Sequence, residues 1–296
     1  MTRDPRSTVV VLTHERAAEV ERTLARLVEL PERPRIVVVD NGSHDGTAGR
    51  IARRFPAVEV LRLPHNAGAA GRNAGAARVG TPYVAFCDDD SWWAPGALAR
   101  AADLLDAHPR VAAVAARVLV GADERLDPTC TAMAASPLDS RGLPGPALIG
   151  FMAGAVVLRT RAFRDAGGYE PRLVIGAEEE LLGLDLAARG WRIVYADAVV
   201  AHHHPSPARD ARTRALLHAR NRLWIAGLRL RPAAAWRESV DALRSAHGVR
   251  APALLAALGG LRWVLAERRP VPRQVEAMYR RVHRAPAPRG VSATRA

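Results

Sequence analysis

Three consecutive carboxylates, Asp88-Asp89-Asp90, close the apolar run Tyr83 to Cys87 and stand just ahead of Trp92 and Trp93. Asp88 and Asp90 are two apart at a strand end. They are of the type that holds a hard divalent cation, which takes one or two carboxylates and leaves positions for substrate phosphates. Adjacent carboxylates repel one another unless a cation offsets the repulsion, whereas a capping turn needs only one of them. A second acidic cluster, Glu178-Glu179-Glu180, opens a helical stretch. A carboxylate there can take the proton of an attacking hydroxyl, and three acids in a first turn also favour the helix dipole without any catalysis. His202-His203-His204 ends a strand-like run, where alternate side chains share a face, so at most His202 and His204 act together. Asp40 ends another apolar run, before Asn41-Gly42-Ser43, and can accept from the N–H of a base, while Asp45 can cap the following helix.

The elements that must position these groups follow from periodicity. Thr8 to Thr13, Arg35 to Asp40, Val58 to Leu63 and Tyr83 to Asp88 read as buried strands. Arg16 to Leu30, Asp45 to Phe55 and Gly68 to Val79 have helical spacing between them. That alternation implies right-handed crossovers and an α/β fold with a mostly parallel, Rossmann-like sheet, whose ligands sit at the carboxyl ends of the strands. The polar clusters fall at those ends. The loop after the third strand, "PHNAGAAGRNAGAARVG", has the glycine spacing of a dinucleotide loop, but such a loop should follow the first strand. Its small residues also permit close helix packing. Val111 to Val120 reads as another strand and Gly121 to Gly150 as a loop or lid. Strands are expected again around "AVVLRT" and "WRIVYA", and helices from Arg209 onward. The expected organisation is a domain over 1–208, a helical C-terminal extension over 209–283 and a disordered tail over 284–296.

Composition narrows the chemistry. All 43 basic residues are arginine, which excludes a P-loop lysine, a Schiff-base lysine and a Tyr-x-x-x-Lys dehydrogenase site. The two cysteines, Cys87 and Cys130, have no metal or redox spacing, and the N-terminus has no signal-peptide core. Reduced thiols and a cytoplasmic location are expected. The formal net charge of +13 is concentrated late in the chain. A solvated face, or peripheral contact of the C-terminal helices with the inner membrane face, accounts for it. No nucleic-acid signature accompanies it. Ala251 to Leu265 is short for a bilayer span and contains Arg262, so it reads as a core-facing helix, with an in-plane anchor as the alternative.

The segments "VVVLTHER", "IVVVDNGSHDGT", "HNAGAAGRNAGAARVGTPYVAFCDDDSWW" and "GAEEELLGLDLAARGWRIVYADAVVAHH" occur in the order and approximate spacing of the family 2 glycosyltransferases with the GT-A fold, which this chain resembles from Ser7 to Pro205. The resemblance implies an inverting transferase that uses a nucleotide-diphosphate sugar, an acceptor hydroxyl on a glycan, lipid-linked or small molecule, and Mg2+ or Mn2+. Carried over residue by residue, Thr13 and Glu15 lie beside the nucleotide, Asp40 contacts the base, and Arg72 positions the diphosphate. Gly68 and Asn73 belong to the same nucleotide-sugar group, Asn73 supporting its loop. Asp88 contacts ribose or metal, Asp89 shapes the turn within the donor site, and Asp90 is the principal metal ligand, with His202 as a third. Family members often have Asn where this chain has Glu15. The family's Glu-Asp pair aligns with Glu178 and Glu179, which makes Glu179 the base and Glu178 an acceptor-binding residue or alternative base. Trp92 and Trp93 are expected to wall the sugar or acceptor pocket. The Arg- and Ala-rich composition suits bacterial surface polysaccharide or glycoconjugate synthesis.

Two other readings stay in view. A sugar-phosphate nucleotidyltransferase would carry a glycine-rich basic loop after the first strand, where this chain reads "THERAAEVER". A non-catalytic nucleotide-sugar binding module would not need both acidic clusters.

Overall fold

The β-branched runs are strands covered on both faces, with Val9 to Val11, Val37 to Val39 and Val84 wholly buried. The computed structural model describes residues 4–205 and 210–284. Among them, ten strands form one sheet: β1 (Ser7–Thr13), β2 (Arg35–Asp40), β3 (Glu59–Arg62), β4 (Tyr83–Asp88), β5 (Ser91–Trp93), β6 (Val111–Val120), β7 (Arg125–Leu126), β8 (Ala147–Leu148), β9 (Ala155–Arg159) and β10 (Arg192–His203). The main order is β3-β2-β1-β4-β9-β6-β10-β5, with β7 on β6 and β8 on β10. β1 pairs in parallel with both β2 and β4, so the chain reverses direction across the sheet at β1. That switch point opens a crevice at the carboxyl ends, between Asp40 and Asp88. β9 runs antiparallel to both its neighbours, β4 and β6. The expectation of a mostly parallel sheet holds, with this one reversed interior strand.

Twelve helices are described: α1 (Ala17–Val28), α2 (Thr47–Arg54), α3 (Gly71–Ala77), α4 (Ala97–Ala107), α5 (Pro128–Ala134), α6 (Thr160–Asp165), α7 (Glu178–Ala188), α8 (Ala211–Arg229), α9 (Pro232–Ser245), α10 (Arg250–Gly259), α11 (Leu261–Ala266) and α12 (Arg273–Arg284). None is long and apolar enough to cross a membrane. The span 121–150 is more ordered than its weak periodicity suggests. There Asp127 caps α5 through Thr129 N at 2.7 Å, with Pro128 pre-set for the first turn, and Cys130 and Met133 are buried. The apolar stretch Ala251 to Leu265 is broken at Gly259-Gly260 into α10 and α11. Only Ala253 and Val264 of it are buried, which corrects the core-facing reading. Arg284 ends α12 rather than beginning a tail, and the rest of the expected disordered tail, 285–296, lies outside the described residues.

The extension covers the sheet domain instead of trailing from it. A second apolar cluster joins Leu138, Ile149, Leu173, Leu181 and Leu184 to Trp224, Ile225, Val264 and Tyr279. Asn221, fully buried on α8, donates to the carbonyls of Leu173 and Ile175, so the segment leading into α7 is fixed by the extension.

Gly75 on α3 shows how closely the helices approach the sheet. A Cβ there would lie 2.4 Å from Val10 Cγ1 and 2.8 Å from Val39 Cγ2. Gly75→Val is therefore expected to lower stability by about 1–3 kcal/mol, an overpacking cost read from the denaturation midpoint.

Candidate active site

Two acidic clusters meet at the carboxyl end of β4. The first is the turn between β4 and β5, in which Ser91 Oγ accepts from Asp88 N at 2.9 Å. Its three aspartates point three ways. Asp88, with a side chain 42% exposed, pairs with the Arg72 guanidinium. Asp89 is buried, accepts from Thr13 Oγ1 at 2.9 Å and lies 3.1 Å from Arg16. Asp90, also buried, has Oδ1 3.4 Å from His203 Nε2 and Oδ2 3.5 Å from Arg16. Burial and the neighbouring aspartates push Asp89 up to about 6, against the pull of Arg16.

His203, rather than His202, shares Asp90's neighbourhood. β10 pairs antiparallel with β5, placing His202 opposite Trp92 and His203 opposite Ser91. His202 stacks on Trp92 with centroids 5.4 Å apart, and its Nδ1 lies 3.3 Å from Glu124. Burial depresses its pKa. His202, the expected ligand, thus faces away from Asp90, and His203 lies beside it. Trp93 is 1% exposed and belongs to the core, whereas Trp92 is partly exposed and its ring contacts His202 and His204.

Among the described residues no three acidic, cysteine or histidine side chains converge as a metal cage. The donor set present is one buried carboxylate on Asp90 and one imidazole on His203, with Asp88 drawn toward Arg72. A cation that takes one or two protein groups and completes its shell from substrate phosphates fits that set.

The second cluster opens α7. Ala177, with φ +66°, precedes it, and the three glutamates again separate. Glu178 is 4% exposed, and its Oε2 has no hydrogen-bond partner among the described residues. Glu179 is partly exposed. Glu180 accepts from Tyr279 Oη at 2.9 Å and lies 3.6 Å from His283, so it belongs to the contact with α12. Arg72 stands between the clusters, 5% exposed, with its guanidinium 5.8 Å from the centre of the Tyr169 ring. Burial opposes its charge, yet Asp88, Glu178 and Glu179 together hold its pKa above the ordinary value.

The residues expected around a nucleotide divide into two groups. Asp40 divides its oxygens: Oδ1 takes Ser43 N at 3.0 Å, while the buried Oδ2 has no hydrogen-bond partner among the described residues and lies 3.9 Å from Arg62 Nε. Glu15, at φ +54°, reaches the crevice rim and accepts from His44 N at 2.8 Å. The others are occupied structurally. Thr13 holds Asp89, and Asn73 grips the backbone of Tyr169 through Nδ2 at 2.7 Å and Oδ1 at 2.9 Å. Gly68, at φ +60°, touches the other loop: a Cβ there would lie 2.1 Å from the Val174 carbonyl oxygen. Arg16, Tyr169, Asn221 and His203 escaped the sequence reading. Arg16 is the last residue of the quoted "VVVLTHER" segment, whereas the others depend on register or tertiary contact.

A family model described as glycosyl transferase family 2 matches residues 8–165. An N-acetylglucosaminyl-diphospho-decaprenol L-rhamnosyltransferase of Mycobacterium tuberculosis is 27% identical over 252 residues, covering 71% of this chain and 80% of the relative. A pre-mycofactocin glycosyltransferase of the same species is 31% identical over 219 residues, covering 69% of this chain but 44% of the relative. In fold, the chain is similar to a mannosyltransferase from Pyrobaculum calidifontis solved with GDP-Man and Mn2+, with a TM-score of 0.61, 22% identity, and 90% of this chain and 76% of the other covered. It is also similar to S. aureus TarS 1-349 solved with UDP-GlcNAc, with a TM-score of 0.60, 17% identity, and 92% and 83% covered. These structural neighbours share the GT-A architecture.

Glu179 carries the site's most adjustable charge. Burial, then the charge of Glu178, pushes it up to about 8. A carboxyl raised in the folded state costs no stability below its ordinary value, where it is protonated both folded and unfolded, and destabilises the fold progressively as pH rises from there to the raised value, above which the loss is complete. Glu179→Gln should therefore melt at a higher temperature than the parent above about pH 8 and at the same temperature below pH 4, where both forms are neutral. Equal melting temperatures across that range would contradict the buried-pair arrangement.

Proposed function

The chain belongs to glycosyl transferase family 2 and is a glycosyltransferase, and we propose that it moves a sugar from a nucleotide-diphosphate donor to a hydroxyl of a lipid-linked acceptor, with inversion. One observation supports the reading: the turn after β4, which bears Asp88 and the cation-type carboxylate Asp90, and the first turn of α7, which bears the raised carboxylate Glu179, come from separate elements and meet at one buried arginine, Arg72, paired with Asp88. The acceptor class rests on similarity to the mycobacterial relative whose name specifies a diphospho-decaprenol substrate. Bacterial cell-surface glycoconjugate synthesis is the setting consistent with it.

In this reading Asp40 accepts from the nucleobase with its Oδ2, and Glu15 lines the nucleotide's edge. Asp90, with His203, holds Mg2+ or Mn2+, which when bound supplies Lewis-acid charge to the leaving diphosphate. Arg72 adds a fixed positive charge to the same diphosphate and keeps Asp88 turned toward it. Glu179 takes the acceptor proton from the face opposite the leaving group. A pKa near the working pH suits that task, and partial exposure gives access to the incoming hydroxyl. Glu178 is too enclosed to meet an acceptor directly and acts by keeping Glu179 basic.

Release of free nucleoside diphosphate only when donor and acceptor are both present tests the activity, and a thermal-shift screen of nucleotide sugars with Mn2+ names the donor. Glu179→Gln should bind donor normally yet lose about 10²–10⁴-fold in turnover. Near-normal turnover would remove Glu179 from the role of base. His203→Ala should weaken Mn2+ binding more than about tenfold, and His202→Ala should leave it unchanged, as read by titration calorimetry. The opposite ranking would restore His202 as the ligand.

A further inference from the structure

We infer that the outer face of α10 and α11 docks on an anionic lipid bilayer. Leu254, Leu255, Leu258, Leu261 and Leu265 are 45–69% exposed there. Leu254, Leu258, Leu261 and Leu265 follow intervals of four, three and four, the spacing of a single helical stripe. Gly260, at φ −97° and ψ 1°, ends the first helix, so α10 contributes Leu254, Leu255 and Leu258 and α11 contributes Leu261 and Leu265. The opposite side is anchored: Val264 is buried, and Trp224 Nε1 on α8 donates to the Ala257 carbonyl at 2.8 Å. The face is therefore held outward by packing. α9, which packs against α10, adds Trp236 at 72% exposure.

Charge identifies the occupant. Residues 1–209 contain 25 arginines and 25 acidic residues, whereas 210–284 contain 16 arginines and five acidic residues. The whole net charge therefore lies beyond the sheet domain, in the part of the chain that bears the leucine stripe. Arg237, Arg262 and Arg269 are exposed and form no ion pair with a described residue. A second copy of the chain would bring two strongly positive extensions together. The segment 285–296, "APAPRGVSATRA", is itself basic and has one branched aliphatic residue to set against five leucines. A bilayer with anionic headgroups satisfies both features: the leucines enter the acyl boundary, and guanidinium groups remain at phosphate level.

The surface lies one helix away from the segment that leads into the catalytic glutamates. Arg172 stacks on the Trp263 ring at 4.8 Å, and Asn221 on α8 holds the carbonyls of Leu173 and Ile175. The inference rests on the exposed face and its charge, not on the acceptor class, so vesicle binding and sugar transfer can fail separately.

The test is flotation of the full chain with vesicles of phosphatidylcholine, with and without phosphatidylglycerol. The expected result is binding to the anionic vesicles only, weakened by salt. The triple variant Leu255→Glu/Leu258→Glu/Leu265→Glu should bind about tenfold or more weakly while keeping its melting temperature, because none of the three side chains is buried. Arg262→Ala/Arg269→Ala tests the charged fringe on the same folded background and should also weaken binding. Absence of binding to anionic vesicles overturns the proposal. So does undiminished binding by the leucine variant, or a parent dimer in sedimentation equilibrium that this variant dissolves.

Discussion

A buried guanidinium organises the site. Arg72 is one cation set among Asp88, Glu178 and Glu179, carboxylates delivered by two elements far apart in sequence. Without it, Asp88, Glu178 and Glu179 would lose the cation set among them, since Arg16 serves Asp89 and Asp90, and their mutual repulsion would fall on the turn after β4 and the first turn of α7. The supporting contacts serve to keep it there. Tyr169 offers its ring face to the guanidinium, and Asn73, the next residue along α3, fixes the Tyr169 backbone with both ends of its amide. Because the group is an arginine, it stays charged throughout the pH range in which the fold survives and supplies the same countercharge at every such pH.

Much of this was legible in the chain. The four leading strands and the crevice at their carboxyl ends follow from β-branched runs ending in polar residues, Asp40 and Asp88 to Asp90 among them, whereas Arg72 is singled out only by the resemblance to the family. The resemblance to family 2 glycosyltransferases is matched by the family model over residues 8–165. What stayed hidden depends on pairing between distant segments. Which histidine faces Asp90 is decided by the register of β10 against β5 and by the irregularity between Ala196 and Val200, and parity within "HHH" cannot supply either. The reversed direction of β9 is likewise a property of the sheet, since a short apolar run reads the same in either sense. Thr13 and Asn73 lay at the expected places but spend their polar atoms on neighbouring protein groups.

The extension changes what the helical part of the chain is for. Its arginines looked like a solvated tail, yet Arg222 is buried against Glu238, and Arg229 grips Asp185 on α7 at 2.5 Å. Tyr279 and His283 engage Glu180, which removes one of three adjacent glutamates from the chemistry by giving it a structural task. α7 is thus held from the sheet side by its leucines and from the extension side by charge. The proposed base, Glu179, sits on an element with little freedom to drift.

The contact between Gly68 and Val174 bears on how variation in this protein should be interpreted. With no room for even a methyl group beside the Val174 carbonyl, position 68 admits a single residue type whether or not a ligand ever reaches it. A survey of natural or induced variants would score it as indispensable, and invariance there would testify to the meeting of two loops rather than to recognition of a sugar nucleotide.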